Sequence, residues 1–241
     1  LIILILTFII SLIVPKTYES ESVIQLATLG INEKTGERID VYPVAEAKNI
    51  IQGSVVLEPV IKEFFPESSV EKFNKDNLQV EIISERIAFG EIKETSFLSI
   101  LTRADEAEKA EEINEAIIEN FFNYAKLEYE KKFNLLTSEL SDINKEINDI
   151  QANILSLKSE PSSQSISQIA LFRSLLADYK EGKMELDRQL SNAKEFRIIS
   201  EPEIPSAYIK PLILTNLILA FSVAVLFSLF YIFLREYARK K

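Results

Sequence analysis

The chain has 241 residues, with 27 Lys and Arg against 37 Asp and Glu and neither cysteine nor histidine. A formal charge of −10 opposes nucleic-acid binding, which needs a basic footprint. The missing thiols and imidazoles exclude disulfides, Ser–His or Cys–His nucleophiles and thiolate or imidazole metal sites. The five glycines are too dispersed to cradle a phosphate, and no cofactor is expected. What remains is an interaction or structural protein, or an enzyme restricted to carboxylates, Lys, Arg, Tyr and Ser.

Residues 1–14, LIILILTFIISLIV, carry no charge. A helix crossing a bilayer core needs ~20 apolar residues. This stretch is shorter and begins without Met, and is read as a first transmembrane helix truncated at its start. A signal-peptide core is the alternative, but PKTYESES follows it without a small-residue cleavage pattern.

Residues 15–104 read as a membrane-proximal α/β base. YESESVIQLATL is β-branched and alternating, as a strand would be. Residues 43–65 have helical spacing, with Ile50, Ile51, Leu57, Val60, Ile61 and Phe64 as the apolar stripe. Pro59 is expected to break that stretch into two helices. Residues 78–88 and 96–103 read as two further strands, joined through Gly90. A sheet backed by helices closes one core, and about 90 residues suffice for a marginal domain.

Residues 105–158 contain neither Gly nor Pro and predict one long helix with Asp105 near its start. Its first part has a broad apolar face, Ile113, Ala116, Ile117, Ile118, Phe121 and Phe122, suited to a sheet. From Tyr129 the period changes. Tyr129, Phe133, Leu136, Leu140, Ile143, Ile147, Ile150, Ile154 and Leu157 alternate four and three apart, an a/d seam over four heptads. SEPSSQS (159–165) is a turn by composition. A second seam then follows, Ile169, Phe172, Leu176, Tyr179, Leu186, Leu190 and Ala193, with Lys183 in one core position and Gly182 weakening the helix nearby. Residues 128–158 and 166–196 have equal lengths, which predicts an antiparallel coiled-coil hairpin about 45 Å long at 1.5 Å per residue. The interleaved Glu and Lys of this region, and Glu106, Glu108, Glu111 and Glu112 before it, read as solvated faces rather than acid–base pairs.

Residues 197–211 form a Pro-rich return. Arg197–Ser200 can add an edge strand to the base. Pro202, Pro205 and Pro211 remove amide donors and stiffen the chain, with Pro211 placed for the first turn of the next helix. Residues 212–234 are 23 residues without a charge, long enough for a second transmembrane helix. Ala220, Ala224 and Ser228 lie four apart there, a spacing that lets membrane helices approach closely. The tail, 235–241, has four basic residues in seven, which predicts a cytoplasmic C-terminus. Residues 15–210 then face outward, with acidic residues exceeding basic ones by 36 to 23. Tyr208, Tyr231 and Tyr237 bracket the second span as interfacial aromatics. The fold class expected is α+β: two transmembrane helices flanking a periplasmic α/β base with a long coiled-coil hairpin.

At this point the chain resembles the Wzz-type chain-length determinants, or polysaccharide co-polymerases. The resemblance covers nearly the whole chain: the first span followed by PKTYESESVIQL, the SFLSILTRADEAEKAEEINEAI strand-to-helix junction, the coiled-coil excursion and the Pro-rich approach to a second span. Pro202, Pro205 and Pro211 match the family's spaced prolines; the second span departs in having no glycine. The resemblance implies a non-enzymatic protein of the bacterial inner membrane, assembled as a homo-oligomeric ring. It further implies control of the length of a surface polysaccharide (O-antigen, capsule or exopolysaccharide) built by a Wzy-type polymerase from a lipid-linked glycan. Ala220, Ala224 and Ser228 would then contact a neighbouring subunit or the polymerase. Lys48, Lys62, Arg86, Lys93 and Arg103 are the candidates to offset the acidic surface near an acidic glycan. Some relatives fuse a cytoplasmic tyrosine kinase. With seven residues after the span and no Walker loop, no kinase is expected in this chain. Three alternatives stay open: a membrane adaptor of a separate tyrosine kinase, a two-span sensor input domain and, last, an efflux-pump adaptor.

Overall fold

The computed structural model describes residues 2–32, 35–86, 92–159 and 163–239. An apolar helix, α1 (Ile2–Ile13), leads into β1 (Tyr18–Gln25), then a short ribbon of β2 (Thr28–Ile31) and β3 (Arg38–Asp40). Three helices follow, α2 (Val44–Ile51), α3 (Ser54–Phe64) and α4 (Val70–Asp76), and two long strands, β4 (Leu78–Arg86) and β5 (Ile92–Ala104). The remainder is α5 (Ala107–Ser159), α6 (Ser163–Ser191), β6 (Arg197–Ser200) and α7 (Ile213–Arg239).

The main sheet has the order β4-β5-β1-β6, antiparallel throughout. β1, the first strand after α1, therefore pairs with β6, the last before α7. Alternation sorts β1 by face: Ser20, Ser22 and Ile24 are buried while Glu21 is exposed. Helices cover that buried face. Ile24, Leu98 and Ile100 from the sheet meet Ile113, Ile117 and Phe121 of α5, with Ile51 and Leu57 from α2 and α3 closing the core. Fully burying each such side chain contributes about 1.5–3 kcal/mol.

A polar pin fixes how α5 lies on the sheet. Asn114 is fully buried. Its amide donates to the carbonyls of Ser20 (3.1 Å) and Ile100 (2.9 Å), and its oxygen accepts from the Ser22 hydroxyl at 2.6 Å. The Thr102 hydroxyl donates to the Ala110 carbonyl at 2.7 Å. A satisfied buried network of this kind costs little and selects one register, because a slip of either partner leaves polar atoms unpaired.

The predicted break at Pro59 is corrected. Pro59 lies inside α3, and the two helices part at Gly53 instead. The missing Pro59 donor leaves only the carbonyl of Val55 unserved, and Val55 lies on the exposed side of the helix. Gly53 makes the sharper turn: its N–H donates to the Ile50 carbonyl at 3.0 Å and its own carbonyl accepts from Leu57 at 3.0 Å. A Cβ there would stand 3.1 Å from the Asn49 carbonyl oxygen.

Other boundaries also move. YESESVIQLATL is not one strand: it divides at the fully buried Leu26 and Ala27, where the Leu26 amide makes the last bond to β5, at the Ser96 carbonyl (2.8 Å), and the Ala27 carbonyl turns instead to the Val41 amide at 3.1 Å. The helix α4 has no counterpart in the sequence reading. The link through Gly90 lies outside the described residues. Residues 163–165 of the predicted turn are already helical, and the second arm ends at Ser191, five residues short of the predicted end, because Lys194 pairs with Thr28 in a β-bridge.

Candidate functional site

Three pieces meet at the candidate site: the sheet, the root of the hairpin and the returning chain. β1 spans this region. At its start, the Thr17 amide donates to the Lys210 carbonyl at 3.0 Å and the Ile209 amide to the Thr17 carbonyl at 2.8 Å. Just past its end, Thr28 and Lys194 exchange two bonds of 2.8 Å. One end of the sheet thus ties the two apolar helices, and the other ties the hairpin.

The hairpin root has its own core, Ala27, Leu29, Val41 and Tyr129, with Phe133, Leu136 and Phe196 packed against it. Phe196 holds the return in place. Its ring lies 5.7 Å from that of Phe121, 5.8 Å from Phe122 and 6.5 Å from Tyr129. Gly30 is required here: with φ +128° it brings β2 so close to α6 that a Cβ would stand 2.4 Å from the Gln189 carbonyl oxygen. The Lys132 ammonium donates to the Val41 carbonyl at 2.7 Å, fastening α5 to the ribbon.

Along the hairpin, α5 and α6 pack on each other. Tyr129, Ile147, Ile150 and Ile154 are buried, and Phe133, Leu136, Leu140, Ile143 and Leu157 half-buried. Across from them Ile169, Phe172, Leu176, Tyr179, Leu186 and Leu190 are half-buried, as are Lys183 and Ala193, the latter beyond the helix.

The three prolines are strung along the return rather than gathered. Pro202 and Pro211 are buried and Pro205 is half-buried. The Ser20 hydroxyl holds this segment to the sheet through the Glu203 carbonyl at 3.0 Å, and the Lys16 ammonium lies 5.1 Å from the centre of the Tyr208 ring. Pro211 does not occupy the first turn of α7. It precedes the helix, joined to Lys210 by a cis peptide, and its carbonyl accepts from the Ile213 amide at 3.0 Å.

Ile213–Phe233 is long and apolar enough to cross a membrane, while Leu4–Ile13 is apolar but shorter. The two helices pack side by side. The Asn216 amide donates to the Ser11 hydroxyl at 3.2 Å, and Thr7, Ser11, Asn216 and Ala220 border one shallow cleft between them. Ala220 thus faces this chain's own α1. Ala224 is half-buried, and Ser228 is exposed with its hydroxyl donating to the Ala224 carbonyl at 2.8 Å.

Among the described residues, the candidate cations Lys48, Lys62 and Arg103 lie on three different elements. Arg103 on β5 bonds Glu19 at 2.7 Å and Gln79 at 2.9 Å on the open sheet face, and Lys62 on α3 pairs with Glu58 at 3.7 Å. Lys48 is on α2; the side chains of Arg86 and Lys93 lie outside the described ones. The open face also carries a bond from the Ser99 hydroxyl to Glu21 at 2.8 Å and one from Arg197 to Gln25. Burial pushes the Asp40 carboxyl above the usual aspartate range, opposed by Arg38 at 3.9 Å. The hydrogen bond from Lys109 at 3.1 Å draws Asp105 below that range. Burial, and then the nearby Glu195 charge, raise Tyr129.

Four residues on which the arrangement depends escaped the sequence reading: Gly30, Asn114, Phe196 and the Asn216–Ser11 pair's Asn216. Only Asn216 carried a visible signal, as an amide inside an uncharged apolar run.

No protein-family model matches the chain, and no curated protein does. Solved structures do. A full-length bacterial polysaccharide co-polymerase is similar at 15% identity over 98% of this chain and 95% of its own, with a TM-score of 0.39. A fragment of WzzB, a polysaccharide co-polymerase from Salmonella Typhimurium, is similar at 17% identity over 80% of this chain and 99% of its own, with a TM-score of 0.27. A Wzz dodecamer fitted to a cryo-EM map is similar at 12% identity over 79% of this chain and 98% of its own, with a TM-score of 0.23. The chain is thus similar to polysaccharide co-polymerases over most of its length, at low identity.

Proposed function

We propose that this chain is a non-enzymatic scaffold of the bacterial inner membrane that sets the length of a surface polysaccharide. In this reading α1 and the 212–234 stretch of α7 are two membrane spans and the tail, 235–241, is cytoplasmic. The sheet is a periplasmic base, and the α5–α6 hairpin projects from it. Copies of the chain assemble side by side as a ring around or beside a Wzy-type polymerase and its lipid-linked glycan.

The observation that carries the reading is how the two ends of the exported part close on each other. β1 follows α1 and β6 precedes α7, and the two strands are neighbours, tied again by the Thr17–Lys210 bridge. Both anchors therefore leave one end of the base, and the hairpin root lies one β1 length away, about 27 Å for eight residues. Such a unit offers repeatable lateral surface and a projecting arm. The resemblance carried by PKTYESESVIQL, the strand-to-helix junction and Pro202, Pro205 and Pro211 supplies the polysaccharide.

The test is the length distribution of surface polysaccharide on gels, with and without the gene. A tight modal band that spreads into short, random lengths on deletion, and returns on complementation, supports the reading. An unchanged distribution overturns it and moves the kinase-adaptor and sensor readings ahead. Native mass spectrometry in mild detergent checks assembly: a monomer throughout would contradict the ring.

A further inference from the structure

A groove runs along one side of α5 where the returning chain lies beside it. It consists of two recesses. The one at the hairpin root, about 220 Å³, is walled by Phe122, Tyr129 and Phe196, with Lys126, Glu130 and Glu195 around its mouth. The other, about 510 Å³, lies towards β6 and has Ile118, Ile198 and Pro202 as its apolar floor, with Glu115, Glu119 and Glu201 at its edge. Phe122 and Asn123 border both, so the two are continuous. From Glu115 to Glu130 the groove follows one helix face for about 22 Å at 1.5 Å per residue.

Two features define what would fit. First, the floor is aromatic and apolar but only partly covered: Phe122 and Phe196 are half-buried and Ile198 is 40% exposed. Second, the rim is made of hydrogen-bond acceptors. Five glutamates and the Asn123 amide surround the floor, and the single cation, Lys126, already lies 3.8 Å from Glu130. A pyranose ring matches this combination. Its C–H face packs on aromatic surface, and its hydroxyls donate to carboxylates and amide oxygens at its edge. A recess below the ~300 Å³ of a drug-sized pocket takes one such ring, and the contiguous larger recess takes its neighbours. The acidic rim repels carboxylated or phosphorylated glycans.

We propose that this groove is a binding site for a short run of neutral sugars in a glycan chain. The inference rests on the polysaccharide reading above and adds the contact surface and the charge class of the polymer.

The test uses the full chain in detergent and saturation-transfer NMR. Maltohexaose and the hexamer of N-acetylglucosamine are the neutral probes, and hexagalacturonate is the acidic one. Saturation is expected to reach the ring C–H protons of the neutral probes, with weak, millimolar binding, and not those of hexagalacturonate. Phe122→Ala should weaken neutral binding at least tenfold. Glu195→Lys, at an exposed position, leaves the floor intact and should admit hexagalacturonate. The inference fails if neither neutral probe binds, if hexagalacturonate binds the unaltered chain better, or if Phe122→Ala binds the neutral probes as before. It also fails if Phe122→Ala dissociates the oligomer while no probe binds, since the groove is then a contact between copies. The two layers separate on gels. Deletion of the gene without effect on polysaccharide length sinks the functional reading. A deletion effect that folded, assembled groove variants do not reproduce, with no probe bound, sinks the groove alone.

Discussion

One helix serves two kinds of packing, and the difference between its halves explains most of the molecule. From Ala107 to Ala125, α5 lies on a sheet: Ile113, Ile117, Phe121 and Ala125 are fully buried, with Ile118 beside them, and Asn114 pins the register. Beyond Leu136, where the root core ends, its packing partner is α6. Ile147, Ile150 and Ile154 are its buried positions beyond the root, and Leu127, Leu135 and Leu155 stay largely exposed. The first half has neighbours on several sides and belongs to the cooperative core. The second half depends on a single seam, so it should open locally at lower free energy.

The largest test of that contrast is Phe121→Ala. Phe121 is fully buried between the sheet core and Phe196, and its truncation is expected to cost about 3–5 kcal/mol. Urea denaturation should show the whole base losing stability, the hairpin with it. A midpoint unchanged from that of the parent would refute a shared core.

Gly30→Ala comes next. It places a methyl group against the Gln189 carbonyl at a left-handed φ, which costs at least about 1–3 kcal/mol of backbone strain before the clash is counted. Limited proteolysis should find the hairpin root and residues 192–196 newly cleavable while the sheet stays protected.

Ile150→Ala sharpens the comparison from the other side. Truncating a buried isoleucine costs about 2–5 kcal/mol in a closed core, and the two-helix seam should sit at the low end. Hydrogen exchange should rise across α5 and α6 beyond Tyr129 and change little in β1 and β5. Equal deprotection of the base would mean the halves unfold as one unit. Lys183→Leu, in the same seam, should act in the opposite direction by about 1 kcal/mol, because it removes a polar group from a core position.

The smallest effects are electrostatic, and they have opposite signs. Asp105 is held below its ordinary pKa by Lys109, so its contribution is present above the unfolded value near 4 and is lost as pH falls through the lower folded value. Asp40 is raised by burial, so its folded form holds the proton more tightly and stability declines as pH rises from the unfolded value through the folded one. Asp105→Asn should flatten the acid limb of a stability–pH curve, and Asp40→Asn should remove the decline. The Asp105 carboxylate is 61% exposed, and its effect should shrink further in high salt.

What was readable in advance follows the same division. The a/d seam from Tyr129 to Leu157 and the broad face from Ile113 to Phe122 are written as periodicities, each long and regular enough to be read along one chain, and the edge strand at Arg197–Ser200 was expected from its place in the return. Short elements were not readable. The seven residues of α4 have one buried apolar residue, Phe73, against Phe65 at 5.5 Å, and a helix that short is unstable alone. The ribbon of β2 and β3 exists because Thr28 and Val41 find partners in Lys194 and Ala27, and neither pairing has a local signature. Pro59 was misread for a related reason: a proline breaks a helix only where the freed carbonyl has no alternative, and on the solvent side it has water.

The sequence by itself determined the helix periods, the two uncharged apolar runs, the acidic surface and the stiff, proline-spaced return. Those properties follow from spacing along one chain. Only the tertiary structure decided that β1 and β6 are neighbours and that Phe196 closes the hairpin root. It alone placed Asn216 opposite Ser11 and opened an aromatic groove beside α5. Each of these joins residues far apart in sequence, and such a contact becomes favourable only after folding has met the entropy of bringing them together.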